Sequence, residues 1–123
     1  MDPYINYEVT GWCSGGCGLS VFYDIKEAEK DFDLACKWNL GDYHTIELEQ
    51  RIYIPAKNYN EAKIFSDKIN AKKTEWTSRV ADLGYYWPEY FTEASRLLRV
   101  YKTKTKELKI MHQDDAEKII IDY

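Results

Sequence analysis

The stretch Trp12-Cys13-Ser14-Gly15-Gly16-Cys17-Gly18 holds the residue types best suited to chemistry in this chain. Two thiols and three glycines within seven residues allow three uses. The first is a metal centre, because thiolates bind zinc tightly. A tetrahedral shell from Cys13 and Cys17 would need Cys36 and His44 as partners. The spacing is C-x3-C, eighteen residues, then C-x7-H. That is not a zinc-ribbon pattern, and Cys36 falls on the apolar stripe of a predicted helix, so no metal ligand and no cofactor is expected. The second use is a ligand loop, in which Ser14, Gly15 and Gly16 turn backbone N–H groups toward an anion. No G-x-x-x-x-G-K and no G-x-G-x-x-G leads from this loop into a helix. The third and preferred use is a tight β-hairpin, its two cysteines facing each other across the turn as small apolar residues.

A catalytic thiol needs a nearby base and electropositive surroundings that lower its pKa. The available bases are His44 and His112, each at a predicted strand end. Residues 1–50 carry ten acids against Lys26, Lys30 and Lys37, a setting that raises a thiol pKa. No Ser–His–Asp arrangement and no H-E-x-x-H occurs. No catalytic residue is therefore predicted, and the chain reads as a non-enzyme.

Ring-bearing residues form the second candidate site. Eleven Tyr and four Trp are many for 123 residues, and Tyr85, Tyr86, Trp87, Tyr90 and Phe91 crowd into seven positions. Such rings give large, stiff contact area and are enriched at the energetic centres of interfaces. The competing structural reading packs them under a helix with hydroxyls at the rim.

Charge sets the third. The net charge is −4 and the isoelectric point about 5.2, which argues against direct nucleic-acid binding. Residues 51–123 reverse the sign, with fourteen bases against eleven acids. Their strongest basic patch is Arg96, Arg99, Lys102, Lys104, Lys106 and Lys109. No apolar run reaches the roughly 20 residues of a membrane span. Three cysteines, an odd number, and an N-terminus unlike a signal peptide point to a reducing, cytoplasmic setting.

The elements that position these residues follow from local pattern. Residues 4–12 and 17–23 read as the two hairpin strands. Asp24, with Glu27 three residues on, starts a helix whose stripe is Ile25, Ala28, Phe32, Ala35 and Cys36. Residues 44–54 alternate as a half-buried strand, Ile46, Leu48, Ile52 and Ile54 inward and Gln50 interrupting, with Pro55 ending it or marking an edge. Asn58 and Glu61 repeat the cap signature ahead of a long helix predicted over 59–83. Pro88 opens a helix over 89–96, a hairpin turns at Lys104-Thr105-Lys106, and KIIIDY forms a last strand. The fold class expected is α+β. It is a two-layer sandwich within one domain (1–123), a mainly antiparallel sheet of five or six strands covered on one face by two or three helices.

The function expected is a small protein-interaction module with Trp12, Glu27, Asp31, Tyr85, Tyr86, Trp87 and Tyr90 as contact residues. An acidic, Tyr-rich surface suits an inhibitor that blocks a basic, nucleic-acid-binding face of a partner protein, in the manner of small inhibitors carried by phages. The alternatives are a small-molecule or nucleotide binder using Ser14, Gly15 and Gly16, and a zinc- or thiol-dependent protein. Heptad spacing at Ala62, Ile69, Trp76 and Leu83 adds a homodimer seam as a further expectation.

Overall fold

The structure, a computed structural model, describes residues 3–13, 16–38, 43–82 and 90–111. Eight elements follow in chain order: β1 (Tyr4–Cys13), β2 (Gly16–Phe22), α1 (Ile25–Trp38), β3 (Thr45–Ala56), α2 (Tyr59–Ala71), β4 (Thr77–Asp82), β5 (Tyr90–Lys102) and β6 (Glu107–Ile110). The strands form one antiparallel sheet in the order β2-β1-β3-β5-β4, with β6 also pairing β5. This is the α+β sandwich-like arrangement expected, with two helices against a six-stranded sheet.

Two compact units divide the chain. Among the described residues, one holds 3–5, 51–82 and 90–96, and the other 6–13, 16–38, 43–50 and 97–111. In the first, Ile52, Ile54, Ile69, Trp76 and Ala94 make a core that Ile5 packs against. Helix α2 starts at Asn58, whose Oδ1 accepts from the Glu61 N–H at 2.8 Å, while Glu61 Oε2 accepts from the Lys57 N–H at 2.6 Å. This is the reciprocal cap predicted, with the Glu61 bond one residue earlier than the usual box. In the second unit, Ala28 and Phe32 of α1 are fully buried, as are Ile46 and Leu48 of β3. Gln50, which interrupts the apolar alternation, is also fully buried and donates to Tyr7 Oη at 3.4 Å.

Three elements differ from expectation. The predicted 59–83 helix stops at Ala71, and Thr77–Asp82 is a strand. The stop is made by Lys73 at φ 51°, a left-handed residue where glycine is the usual signal. Ala62 and Ile69 then point into the core and Trp76 is buried beyond the helix end, so the heptad seam does not exist; its fourth position, Leu83, lies outside the described residues. The predicted 89–96 helix is the first half of β5, whose residues 91–94 are all buried because strands flank it on both sides. Pro55 neither ends β3 nor marks an edge, since the strand runs to Ala56 between β1 and β5. The β5–β6 hairpin forms as expected, with Lys102 paired to Glu107. The KIIIDY strand and Pro88 lie outside the described residues.

Candidate interaction surface

The hairpin is built from close register. Tyr7 pairs with Phe22, Gly11 with Gly18, Trp12 with Cys17 and Cys13 with Gly16. The cysteines therefore do not face each other, a correction to the expectation. Cys13 lies across from Gly16, and Cys17 across from Trp12. A two-residue connection puts Cys13, not Cys17, at the closing pair. All three cysteines are free thiols.

The strand glycines have a steric reason. A Cβ on Gly11 would come within 2.7 Å of the Tyr43 ring, and one on Gly18 within 2.4 Å of Tyr43 Oη. Tyr43 thus fills the space that two missing side chains leave open. Gly16 has open space around it but φ 143°, so its glycine serves the backbone of the turn. Of the alternative ligand loop, Gly16 is exposed, and Ser14 and Gly15 lie outside the described residues.

Beside the hairpin, α1 and β2 border a groove of about 300 Å³ lined by Gly18, Leu19, Ser20, Asp31, Ala35 and Tyr43, among others. Asp31 and Ala35 face β2 across this groove. Leu34 and Trp38 follow each of them by three residues, so they continue the same flank of α1 toward solvent. Both are exposed, Trp38 at 65%. Along β2, Leu19 and Val21 alternate with Gly18 and Ser20 and are exposed, at 56% and 45%. Tyr23 and Trp12 extend the ridge at its two ends. Of the twelve large apolar residues exposed among the described residues, nine belong to this second unit. Strand β2, Gly-Cys-Gly-Leu-Ser-Val-Phe, carries no charge, and no described strand pairs its outer side.

The acidic face of α1 is partly spent internally. Arg99 reaches Glu29 Oε2 at 3.2 Å and Asp33 Oδ1 at 3.7 Å. Glu27 is exposed and Asp31 half-buried. Cys36, on the inner side of α1, has its pKa pushed up from 9.0 to about 11 by burial and the nearby Asp33, with Arg99 opposing. That is the reverse of an activated nucleophile. No group of three or more potential metal ligands occurs among the described residues.

Two members of the basic patch turn inward, Arg96 and Arg99. Arg96 is a core residue whose guanidinium lies 4.6 Å from the Trp76 ring centre and pairs with Glu75 at 3.1 Å. Lys102, Lys104, Lys106 and Lys109 remain exposed. Of the aromatic cluster, Phe91 is buried in edge contact with Tyr4 and Tyr53, which stack on each other at 4.8 Å. Tyr90 is half-buried, edge-on to Tyr59 at 6.0 Å. Tyr85, Tyr86 and Trp87 lie outside the described residues.

Sequence reasoning missed two features. One is the β2–α1 ridge, although the absence of charge across 16–22 was a readable signal. The other is Glu93, only 5% exposed, whose two carboxylate oxygens accept from Arg51 at 3.1 Å and Arg79 at 3.0 Å on the two flanking strands. These residues lie far apart in sequence, so only the sheet brings them together. Comparison with protein-family models, with curated proteins and with solved structures finds no match to this chain.

Proposed function

We propose that this protein is an interaction module that docks another polypeptide on the ridge formed by β2 and the outer flank of α1. One observation carries the reading: an uncharged seven-residue strand with no described strand on its outer side exposes Leu19 and Val21, while α1, which borders it, exposes Leu34 and Trp38. Exposed, uncharged strand edges invite a further strand, and proteins that do not use them cover or charge them. In this reading Trp12, Glu27 and Asp31 are contact residues as well, Trp12 paired to Cys17 of β2 and Glu27 and Asp31 one turn apart on α1. An apolar rim beside a free edge favours strand addition, with backbone bonds for affinity and Leu19 and Val21 for fit. Blocking a basic nucleic-acid-binding surface fits less well, because Arg99 already neutralises Glu29 and Asp33.

The test is site-specific photo-crosslinking in cells that express the protein, with the reactive residue at Trp38 and, as control, at the exposed Lys68 of α2. Discrete adducts from position 38 and none from 68 support the module. Position 38 yielding no adduct overturns it.

A further inference from the structure

We infer that the occupant of the β2 edge is a second copy of this chain, paired β2 to β2 in antiparallel register about a two-fold axis centred on Leu19. This deepens the proposed function and rests on the ridge being a contact surface.

The Trp12 carbonyl accepts from the His44 N–H at 2.7 Å, on the side of β1 away from β2. The Trp12–Cys17 pair is therefore a non-hydrogen-bonded pair of the hairpin. Alternation along β2 then directs the N–H and C=O of Cys17, Leu19 and Val21 away from β1, into the open edge. Three residues at even spacing form a self-complementary set. Turned about a two-fold at Leu19, Leu19 meets Leu19 of the second copy, and Cys17 meets Val21 in both directions. Residue i contacting j while j contacts i is the condition for a closed, isologous interface.

The side chains agree with the backbone. The outward-directed residues are the ones whose apolar side chains, Leu19 and Val21, are exposed, and no charge along β2 opposes the pairing. The same two-fold runs α1 antiparallel to its copy, so the two helix dipoles oppose. The pairing bonds the backbone groups of Cys17, Leu19 and Val21 that one copy leaves at its edge.

Sedimentation at increasing concentration, with hydrogen exchange of the β2 amides, tests this. The expected result is a wild-type mass of twice 14.6 kDa, with slow exchange at Cys17, Leu19 and Val21 that becomes fast on dilution. Val21→Lys, unchanged in far-UV circular dichroism, should sediment at half that mass. Val21→Cys should oxidise to a covalent dimer through Cys17 of the second copy, because directly opposed hydrogen-bonded residues have Cα atoms within disulfide range. This second variant keeps the register testable even where the lysine fails to fold. A wild-type monomer at every concentration overturns the dimer, as does a dimer that survives Val21→Lys with fast-exchanging β2 amides. If position 38 still crosslinks to other proteins in either case, the docking module stands without self-pairing. If it yields nothing, both fall.

Discussion

The two outer strands of the sheet, β2 and β4, are treated in opposite ways. On β4, Asn70 of α2 lays its side-chain amide against Ser78. Its Oδ1 accepts from the Ser78 N–H at 2.8 Å, and its Nδ2 donates to the Ser78 carbonyl at 3.1 Å. One asparagine thus imitates the backbone of a missing neighbour. The Ser66 and Ser78 hydroxyls meet at 2.8 Å and fasten the same strand to the same helix. Arg79, one residue on, is 73% exposed and held by Glu93. This edge is capped and charged, the two devices that discourage further pairing. Strand β2 carries no charge, and no described strand pairs its outer side. The chain thus closes one edge with two polar side chains and leaves the other uncharged, the contrast on which the proposed docking edge rests.

The contrast yields four measurable outcomes beyond the dimer test. The largest is Glu93→Ala. Removing this buried carboxylate takes one ion pair from Arg51 and one from Arg79, at a cost of about 3 kcal/mol. Chemical denaturation should show a midpoint shift with an unchanged slope. An unchanged midpoint would mean that the β4 side does not depend on its charged clamp. Next is Asn70→Ala, which strips Ser78 of both edge bonds and costs about 1–3 kcal/mol. Opening the second edge should also produce species larger than the wild-type assembly in light scattering. Retention of the wild-type size would show that β4 needs no cap.

On the β2 side, Gly11→Ala should cost about 1–2 kcal/mol through overpacking against Tyr43. The added Cβ meets the base of that ring, which cannot swing away. Gly18→Ala should cost less, because its Cβ meets only the hydroxyl end of a rotatable side chain. Equal losses in thermal melts would contradict the filled-cradle account. The smallest effect concerns thiols. Exposed Cys17 should react readily with an alkylating reagent, while Cys36 should stay slow until the pH nears about 11. Because the folded pKa is raised above 9.0, the neutral thiol favours the fold below that pH. The contribution is lost as the pH rises from 9.0 through about 11. Equal alkylation of Cys17 and Cys36 below pH 9.0 would show that α1 does not shield its inner face.

Much of this architecture can be read from local residue patterns. The hairpin, α1, β3 and the Asn58–Glu61 cap each carry a signal within ten residues. Glycines lie near the turn, apolar residues recur at period two or 3.6, and a carboxylate follows a capping side chain. The failures share one cause. Residues 76–80 suit a helix and a strand equally, since Trp76 and Val80 satisfy both four-residue and two-residue spacing. The signal that ends α2 is carried by Lys73 rather than by glycine. Residues 89–96 hold two Glu, one Ala and one Arg, good helix formers, yet 90–96 lie in a strand flanked on both sides. There tertiary burial outweighs a propensity worth only tenths of a kcal/mol per residue.

For the interaction surface the division is the same. The sequence by itself determined that 16–22 would be uncharged and extended and that α1 would present one apolar stripe, because composition and periodicity are properties of neighbours in the chain. Only the tertiary structure decided that 16–22 would lie at the border of the described sheet and that Arg99 would claim Glu29 and Asp33 of α1. Those outcomes depend on which strand pairs with which. That choice is made by burial summed over residues far apart in the chain, and no short window of sequence contains it.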